Sequence, residues 1–221
     1  MGLVLITPPT VEPVSVEHLA RHCRVDDPEE FEYLESLGIA ARLYCETYTR
    51  RAFCTQTWQF LVDRFPNYWQ DWQIWSGRRM WARSNRRLST DAYRDITLRI
   101  EKPPVQSITA ITYTDNDGAL QTLPGDQWMG DLREEPARLT PTYGNYWPTA
   151  RYQIDAVCIE FVAGYGDPCD VPQTIKAAIK LLVAHWYLHR EAVTTESAPQ
   201  EMPISCKALL GSEQWGSYMS G

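Results

Sequence analysis

The spacing of apolar residues changes twice along this chain, and these changes limit the folds that it can adopt. Residues 28–51 and the segment that begins at Pro172 place apolar side chains every three or four residues, which is typical of amphipathic helices. Between them, from Gln56 to Ala163, short runs alternate polar and apolar residues and are rich in strand formers. Helices at both ends with strands between them predict an α+β fold.

The same pattern predicts the domain organisation. We expect residues 1–53 and 166–221 to form one discontinuous α-helical bundle and residues 54–165 to form a β-rich insertion. Inside the insertion, Asp115–Gly118 predicts a tight hairpin, because Asp-Gly readily adopts the positive φ angles that such turns need. Residues 66–95 follow neither period and are expected to form a loop rich in arginine and tryptophan.

Ser15 can cap a short first helix that is predicted to run to about Arg24. The second predicted helix, from Pro28, has a clear start signal. Asp27 is a good N-cap, Pro28 suits the first helical position, and Glu30 completes a capping box. The helix is expected to run to about Arg51, with Arg50 in its last turn. Its predicted apolar face consists of Phe31, Leu34, Leu37, Ala41, Tyr44, Cys45 and Tyr48.

Composition narrows the class of protein. The 221 residues are 44% hydrophobic and 22% charged, which is typical of a globular chain. No apolar run is long enough to cross a bilayer, and the first residues lack a basic leader, so we expect a protein made in a cytoplasm. Six scattered cysteines without a CxxC pair predict reduced thiols rather than a disulfide framework.

The sequence contains no pattern that specifies a reaction. Phosphate-loop, dinucleotide, GxSxG and HExxH motifs are all absent. His185 and His189, like His18 and His22, have a possible metal-ligand spacing, but packing or interface roles are favoured. No feature selects one cysteine as a nucleophile. We therefore predict no catalytic residue, no metal ligand and no cofactor.

The net charge of −7 conceals a basic middle segment. Five arginines and no acidic residue lie between positions 78 and 87, and tryptophans are interleaved with them. Such a segment could bind phosphates and bases, contact an acidic protein partner, or fold as an irregular loop over the sheet; the protein contact is favoured. The candidate partner-interface residues are Trp69, Trp72, Trp75, Arg78, Arg79, Trp81, Arg83, Arg86 and Arg87.

An acidic segment surrounds the start of the second helix. It consists of Asp26, Asp27, Glu29, Glu30, Glu32 and Glu35. The simpler interpretation is favourable electrostatics at a helix N-terminus together with a solvated face. The alternative is an acidic surface that has a function of its own.

Several motifs, in a shared order, resemble the head–tail connector (adaptor, or head-completion) proteins of tailed bacteriophages and phage-like gene transfer particles. They are residues 12–27 (EPVSVEHLARHCRVDD), 40–52 (AARLYCETYTRRA), 56–58 (QTW), 103–108 (PPVQSI), 113–118 (YTDNDG), 161–167 (FVAGYGD), 171–172 (VP) and 181–187 (LLVAHWY). The resemblance spans most of residues 12–190. The sequence departs from the family pattern at residues 66–95, a segment that is longer and richer in Arg and Trp than is expected for the family.

This resemblance implies a structural virion protein without enzymatic activity or cofactor. About twelve copies would form a ring in the neck that attaches to the portal protein, extends the DNA channel and offers a docking surface to stopper or tail proteins. Double-stranded DNA would pass transiently through the lumen, with the acidic segment at its wall or rim. Assembly would take place in the cytoplasm of the bacterial host.

The last predicted helix, near residues 203–210, is expected to dock on the portal ring, because a short amphipathic helix suits groove binding. Its candidate residues are Pro203, Ile204, Leu209, Leu210 and Trp215. The alternative function is a binding module whose Trp/Arg-rich β insertion holds a carbohydrate or single-stranded nucleic acid. A cysteine-dependent enzyme is the third and least favoured hypothesis.

Overall fold

A computed structural model describes residues 2–66, 96–189 and 203–215, and the order of elements in these ranges confirms the α+β prediction. The helices are α1 (Val16–Cys23), α2 (Phe31–Thr49), α3 (Gln173–Leu188) and α4 (Ile204–Gly211), with a 3-10 turn at Pro28–Glu30 before α2. The strands are β1 (Gly2–Thr7), β2 (Gln56–Val62), β3 (Leu98–Ile100), β4 (Val105–Thr114), β5 (Leu120–Thr122), β6 (Trp128–Asp131), β7 (Ala137–Pro141) and β8 (Val157–Ala163).

The chain divides into two compact units. Counted over the described residues, the strand unit lies within Met1–Thr7, Thr57–Glu101 and Val105–Val162, and the helical unit lies within Pro8–Gln56, Lys102–Pro104 and Ala163–Gly221. The first residues had been expected to belong to the helical part, and the structure corrects this. They form β1, which pairs with β2 antiparallel from Gly2 opposite Leu61 to Thr7 opposite Thr57.

The strand unit is built on two sheets. One has the strand order β1-β2-β8-β4-β5 and the other the order β3-β7-β6. The predicted hairpin at Asp115 joins β4 to β5: one carboxylate oxygen of Asp115 accepts hydrogen bonds from the backbone N–H groups of Asp117 and Ala119. Gly118 adopts a φ of 86°, the positive angle that the Asp-Gly pair predicted.

Alternating residues supply the core of the strand unit. Val157, Ile159 and Phe161 on β8 are fully buried, whereas the residues between them are only partly covered. Beside the sheets, Phe65 stacks on Trp147 with ring centroids 4.9 Å apart and ring planes 8° apart. The indole Nε1 of Trp147 donates a hydrogen bond to the carbonyl oxygen of Ile96 at 2.6 Å, so this buried tryptophan has its polar atom satisfied.

The core of the helical unit is formed by α1, α2, α3 and α4. It includes Leu19, Leu34, Ile175, Ile179, Leu182 and Leu210, all nearly or fully buried. The predicted cap of the second helix is present, because Asp27 Oδ1 accepts a hydrogen bond from the Glu29 N–H at 3.0 Å. The first turn is nevertheless a 3-10 helix, and α2 ends at Thr49 with Arg50 in the left-handed conformation.

The predicted apolar face of α2 is the face that contacts the core, with one exception. Phe31, Leu34, Leu37, Ala41, Cys45 and Tyr48 are buried or packed against the core. Tyr44, expected on the buried face, has 44% of its surface exposed, whereas Arg42 and Glu46 are each only 4% exposed. The buried side therefore also contains two charged residues that the apolar spacing did not predict.

Candidate interaction surfaces

Two charged side chains of α2 are paired inside the helical unit. Arg42 Nη1 donates to Glu46 Oε2 at 3.0 Å, and Arg42 Nε donates to Glu12 Oε2 at 2.8 Å. The other carboxylate oxygen of Glu46 accepts hydrogen bonds from the Phe53 N–H, at 2.9 Å, and from the Gln56 amide. These bonds connect the segment before α1, the middle of α2 and the chain that leads into β2. The cluster is therefore a structural link rather than a reactive site.

A second cation, Lys102, lies near this cluster. Burial lowers the pKa of Lys102, while the nearby Glu46 carboxylate partly offsets this by raising it. The sequence contained one signal for the cluster, namely Arg42 and Glu46 four residues apart on a predicted helix. That spacing is usual for exposed pairs as well, so it did not predict burial.

The acidic segment lies where the sequence placed it, around the first turns of α2. Asp26, Asp27, Glu29, Glu32 and Glu35 are exposed and Glu30 is partly exposed. Carboxylates at this position interact favourably with the positive end of the helix dipole. The segment is therefore a solvated acidic surface, and its charge is available to repel a polyanion.

All nine Trp and Arg residues named as partner-interface candidates, Trp69, Trp72, Trp75, Arg78, Arg79, Trp81, Arg83, Arg86 and Arg87, lie outside the described residues. Their proposed contact with a protein partner therefore stays a prediction.

Several residues of the C-terminal segment already make contacts within the chain. Leu210 is fully buried in the helical core, which corrects the expectation that it faces a partner, whereas Leu209 is only partly buried against this core and stays a candidate. The backbone N–H of Trp215 donates to the Thr49 carbonyl oxygen at 3.0 Å, and Thr174 Oγ1 donates to Glu213 Oε1 at 2.8 Å. Ile204 is 85% exposed and Pro203 is partly exposed, so the start of α4 is the part left for a partner.

The histidines do not assemble a metal site among the described residues. The rings of His185 and His189 lie 4.7 Å apart, and His189 Nδ1 is 2.9 Å from the His185 carbonyl oxygen. Within the described ranges, the group of three potential ligands that comes together is a different one, Asp167, Cys169 and Asp170. All three are exposed and lie in one short loop, so we assign no ion to them.

Buried thiols in this chain are poor nucleophiles. Burial raises the pKa of Cys45 and that of Cys54 to about 12, and it also raises the pKa of Cys23, Cys158 and Cys206. A catalytic cysteine requires the opposite shift, because the thiolate is the attacking form. Cys169 is exposed.

We expect the cysteines of the folded chain to react in the order of their exposure. Iodoacetamide at mildly alkaline pH should alkylate Cys169 first, and it should reach Cys45 and Cys54 only after denaturation, because both thiols are buried and protonated. Peptide mass spectrometry of timed samples measures this order. Rapid alkylation of Cys45 in the folded chain would contradict the burial described above.

Several large side chains of the strand unit are exposed. Tyr143, Tyr146 and Tyr152 are 88–100% exposed, and Ile154 is 82% exposed, all between β7 and β8. Some of the 12 tyrosines of this sequence are therefore on the outside of the folded chain.

Among the described helices, none is long and apolar enough to span a membrane.

Comparison with known proteins identifies relatives by fold. No protein-family model matches the chain, and no curated protein sequence matches it. Three solved structures match along 97% of this chain and 95% of their own: the neck of an empty gene transfer agent (GTA) particle computed with C6 symmetry (19% identity, TM-score 0.68), the virion of a native GTA particle (18%, 0.68), and the neck of a native GTA particle computed with C12 symmetry (19%, 0.59). The chain therefore has the fold of a protein in these particles.

Proposed function

We propose that this chain is a structural subunit of the neck of a phage-like particle. The observation that carries the proposal is the fold match, which extends over nearly the whole of both chains. The sequence motifs described above, in the same order along the chain, support the same role independently of the structure. In this role the chain acts through its surfaces and catalyses no reaction.

We further propose that the chain forms an adaptor ring of about twelve copies between the portal and the tail. The neck structures with C6 and C12 symmetry favour a rotationally repeated subunit. Every subunit of such a ring has a surface towards each neighbour, towards the portal, towards the tail and towards the lumen. This requirement agrees with exposed apolar residues in several places, including Ile204 at the start of α4 and Tyr146 in the strand unit.

The acidic segment around Asp26–Glu35 suits a channel wall or rim. Proteins bind DNA tightly when cationic side chains displace counterions from the phosphates. Exposed carboxylates provide no such gain and repel the phosphates, so DNA can pass without being held. We assign Arg83, Arg86 and Arg87 the opposite role, contact with an acidic neighbouring protein.

Deleting the gene for this chain in the producing cell is the direct test. We expect DNA-filled heads without attached tails, because the surface that joins the two would be missing. Electron microscopy of purified particles measures the tailed fraction, and the wild-type gene supplied in trans should restore it. Normal tailed particles without the chain would refute the proposed function.

The same complementation system tests the arginine contact. A chain with Arg83, Arg86 and Arg87 replaced by glutamate should fold normally, as judged by circular dichroism, and fail to restore tailed particles. Replacement of the same three residues by lysine is the matched control, because it keeps the charge. Full complementation by the glutamate variant would refute the partner role of this segment.

A further inference from the structure

A short segment after α4, residues 213–215, binds the end of α2. Gln214 Nε2 donates a hydrogen bond to the Tyr48 carbonyl oxygen at 3.2 Å. The backbone N–H of Trp215 donates to the Thr49 carbonyl oxygen at 3.0 Å. The last carbonyl groups of a helix have no partner within the helix, and Thr49 is fully buried, so its carbonyl oxygen needs a donor inside the protein. We call residues 213–215 the C-terminal strap.

The C-terminal strap also binds the beginning of α3. Thr174, in the first turn of α3, donates through Oγ1 to Glu213 Oε1 at 2.8 Å. This turn contains no acidic residue of its own, and Pro172 at the N-cap position makes no side-chain cap bond. Glu213, 39 positions further along the chain, therefore supplies the negative charge that is favourable at a helix N-terminus.

The two contacts of the C-terminal strap have opposite polarity. A carboxylate meets the positive end of α3, and N–H donors meet the negative end of α2. The last turn of α2 contains no basic residue, so the strap again supplies a favourable group that the helix itself lacks. Arg51, just after α2, adds a further bond, since its Nε donates to the Glu213 carbonyl oxygen at 2.6 Å.

Helix α4 depends on these contacts for its position. It has eight residues and no side-chain cap at its start, and helices shorter than about 12 residues are only marginally stable alone. Its residues Cys206 and Leu210 are fully buried in the helical core. The C-terminal strap begins two residues after α4 ends, so its bonds to α2 and α3 hold the C-terminal end of α4 in place.

We propose that the C-terminal strap is a device that closes the helical unit and that it stays closed on its own chain in the assembled ring. The second part rests on the proposed neck function. Opening the strap exposes apolar Leu210 and leaves the Thr49 carbonyl without its donor, so the closed form is favoured. With the strap closed, Ile204 at the start of α4, 85% exposed, is the part of this helix that a portal protein can reach.

Two substitutions at one position test the polarity of the C-terminal strap in the purified full chain. Gln214→Glu places a carboxylate against the carbonyl groups that end α2, whereas Gln214→Lys places a cation there. We expect the protection factor of the Trp215 N–H to fall by about threefold to tenfold in the glutamate variant and to stay unchanged or rise in the lysine variant. Hydrogen exchange resolved by nuclear magnetic resonance measures both. Equal protection in the two variants would overturn the proposed device.

Cross-linking tests whether the C-terminal strap stays on its own chain in particles. The double variant Thr174→Cys with Glu213→Cys, in a chain that also carries Cys169→Ser, is treated with dibromobimane, a short reagent that joins two thiols. We expect a link between positions 174 and 213 at the mass of a single chain, both in the free chain and in purified particles. Gel electrophoresis and peptide mass spectrometry measure the mass and the linked positions.

Every other result of the cross-linking would overturn a stated part of the proposal. A link between two copies would show that the C-terminal strap is exchanged within the ring, and a link in the free chain that is missing from particles would show that it opens on assembly. No link in the free chain would contradict the strap contact itself. Absence of the unmodified chain from particles would refute the neck function, while the hydrogen-exchange result on the free chain would stand.

Discussion

Replacing Glu46 by alanine is expected to lower the free energy of unfolding by about 3–5 kcal/mol, one of the largest effects available in this chain. The substitution removes the carboxylate that pairs with buried Arg42 and accepts the Phe53 N–H. A guanidinium with 4% exposure would then keep only Glu12 as an acidic partner, and a buried backbone donor would lose its acceptor. Chemical denaturation followed by far-ultraviolet circular dichroism measures the loss.

The double variant Arg42→Met with Glu46→Leu is the matched control. It removes both members of the buried pair together, so no buried arginine is left without Glu46, and much of the lost stability should return. Glu12, whose side chain is 25% exposed, loses its bond to Arg42 in this variant. The Phe53 N–H and the Gln56 amide still lose their acceptor, so recovery should fall short of the wild-type value. If the double variant were as unstable as the single one, the damage would come from those two lost hydrogen bonds and not from the unpaired arginine.

Replacing Gly164 by alanine is the second change with a large expected effect, about 3–5 kcal/mol of lost stability. Gly164 has a φ of 126°, and an added Cβ would lie 2.3 Å from the carbonyl oxygen of Cys54 and 2.9 Å from the Thr55 nitrogen. These are backbone atoms, so neither can rotate away as a side chain would. The Gly164 N–H also donates to Pro104 at 2.8 Å, which further limits local adjustment. The denaturation midpoint measures the effect.

The variant Gly166→Ala distinguishes the effect of a clash with backbone atoms from the effect of the positive φ angle alone. Gly166 has the same φ of 126°, but the atom nearest to its added Cβ would be a side-chain carboxylate oxygen of Asp170, at 2.8 Å. That side chain can move, so this variant should cost about 1–3 kcal/mol, the range for strained backbone alone. Equal losses in the two glycine variants would show that the φ angle, and not the contact with Cys54, controls stability here.

Local signals in the sequence predicted most of the elements. The Asp115 hairpin, the Asp27 cap and the alternation in β8 each depend on a few neighbouring residues, and all three are present. The strand β1 was missed because its pattern is weak. Its residues Leu3, Val4 and Ile6 are adjacent or nearly so and all are exposed, so they do not alternate between a core and a solvent face.

The candidate surfaces were harder to predict because they depend on which side of an element is covered. The apolar positions of α2 were recognised from their spacing, yet Tyr44 was assigned to the core and Arg42 was not considered for it. The partners of the buried pair include Glu12 and Gln56, which lie 30 and 14 positions away from Arg42 in the chain. Leu210 was likewise predicted to contact a partner. No residue near it in the sequence indicates that it packs in the helical core.

The position of β1 has a consequence for handling the isolated protein. Among the described strands it lies at the edge of its sheet, and it contains neither a charged side chain nor a proline. Natural edge strands commonly carry such residues, which discourage backbone pairing with foreign strands. A concentrated solution of the free polypeptide therefore has a ready site for edge-to-edge aggregation, and low protein concentration favours keeping it dispersed.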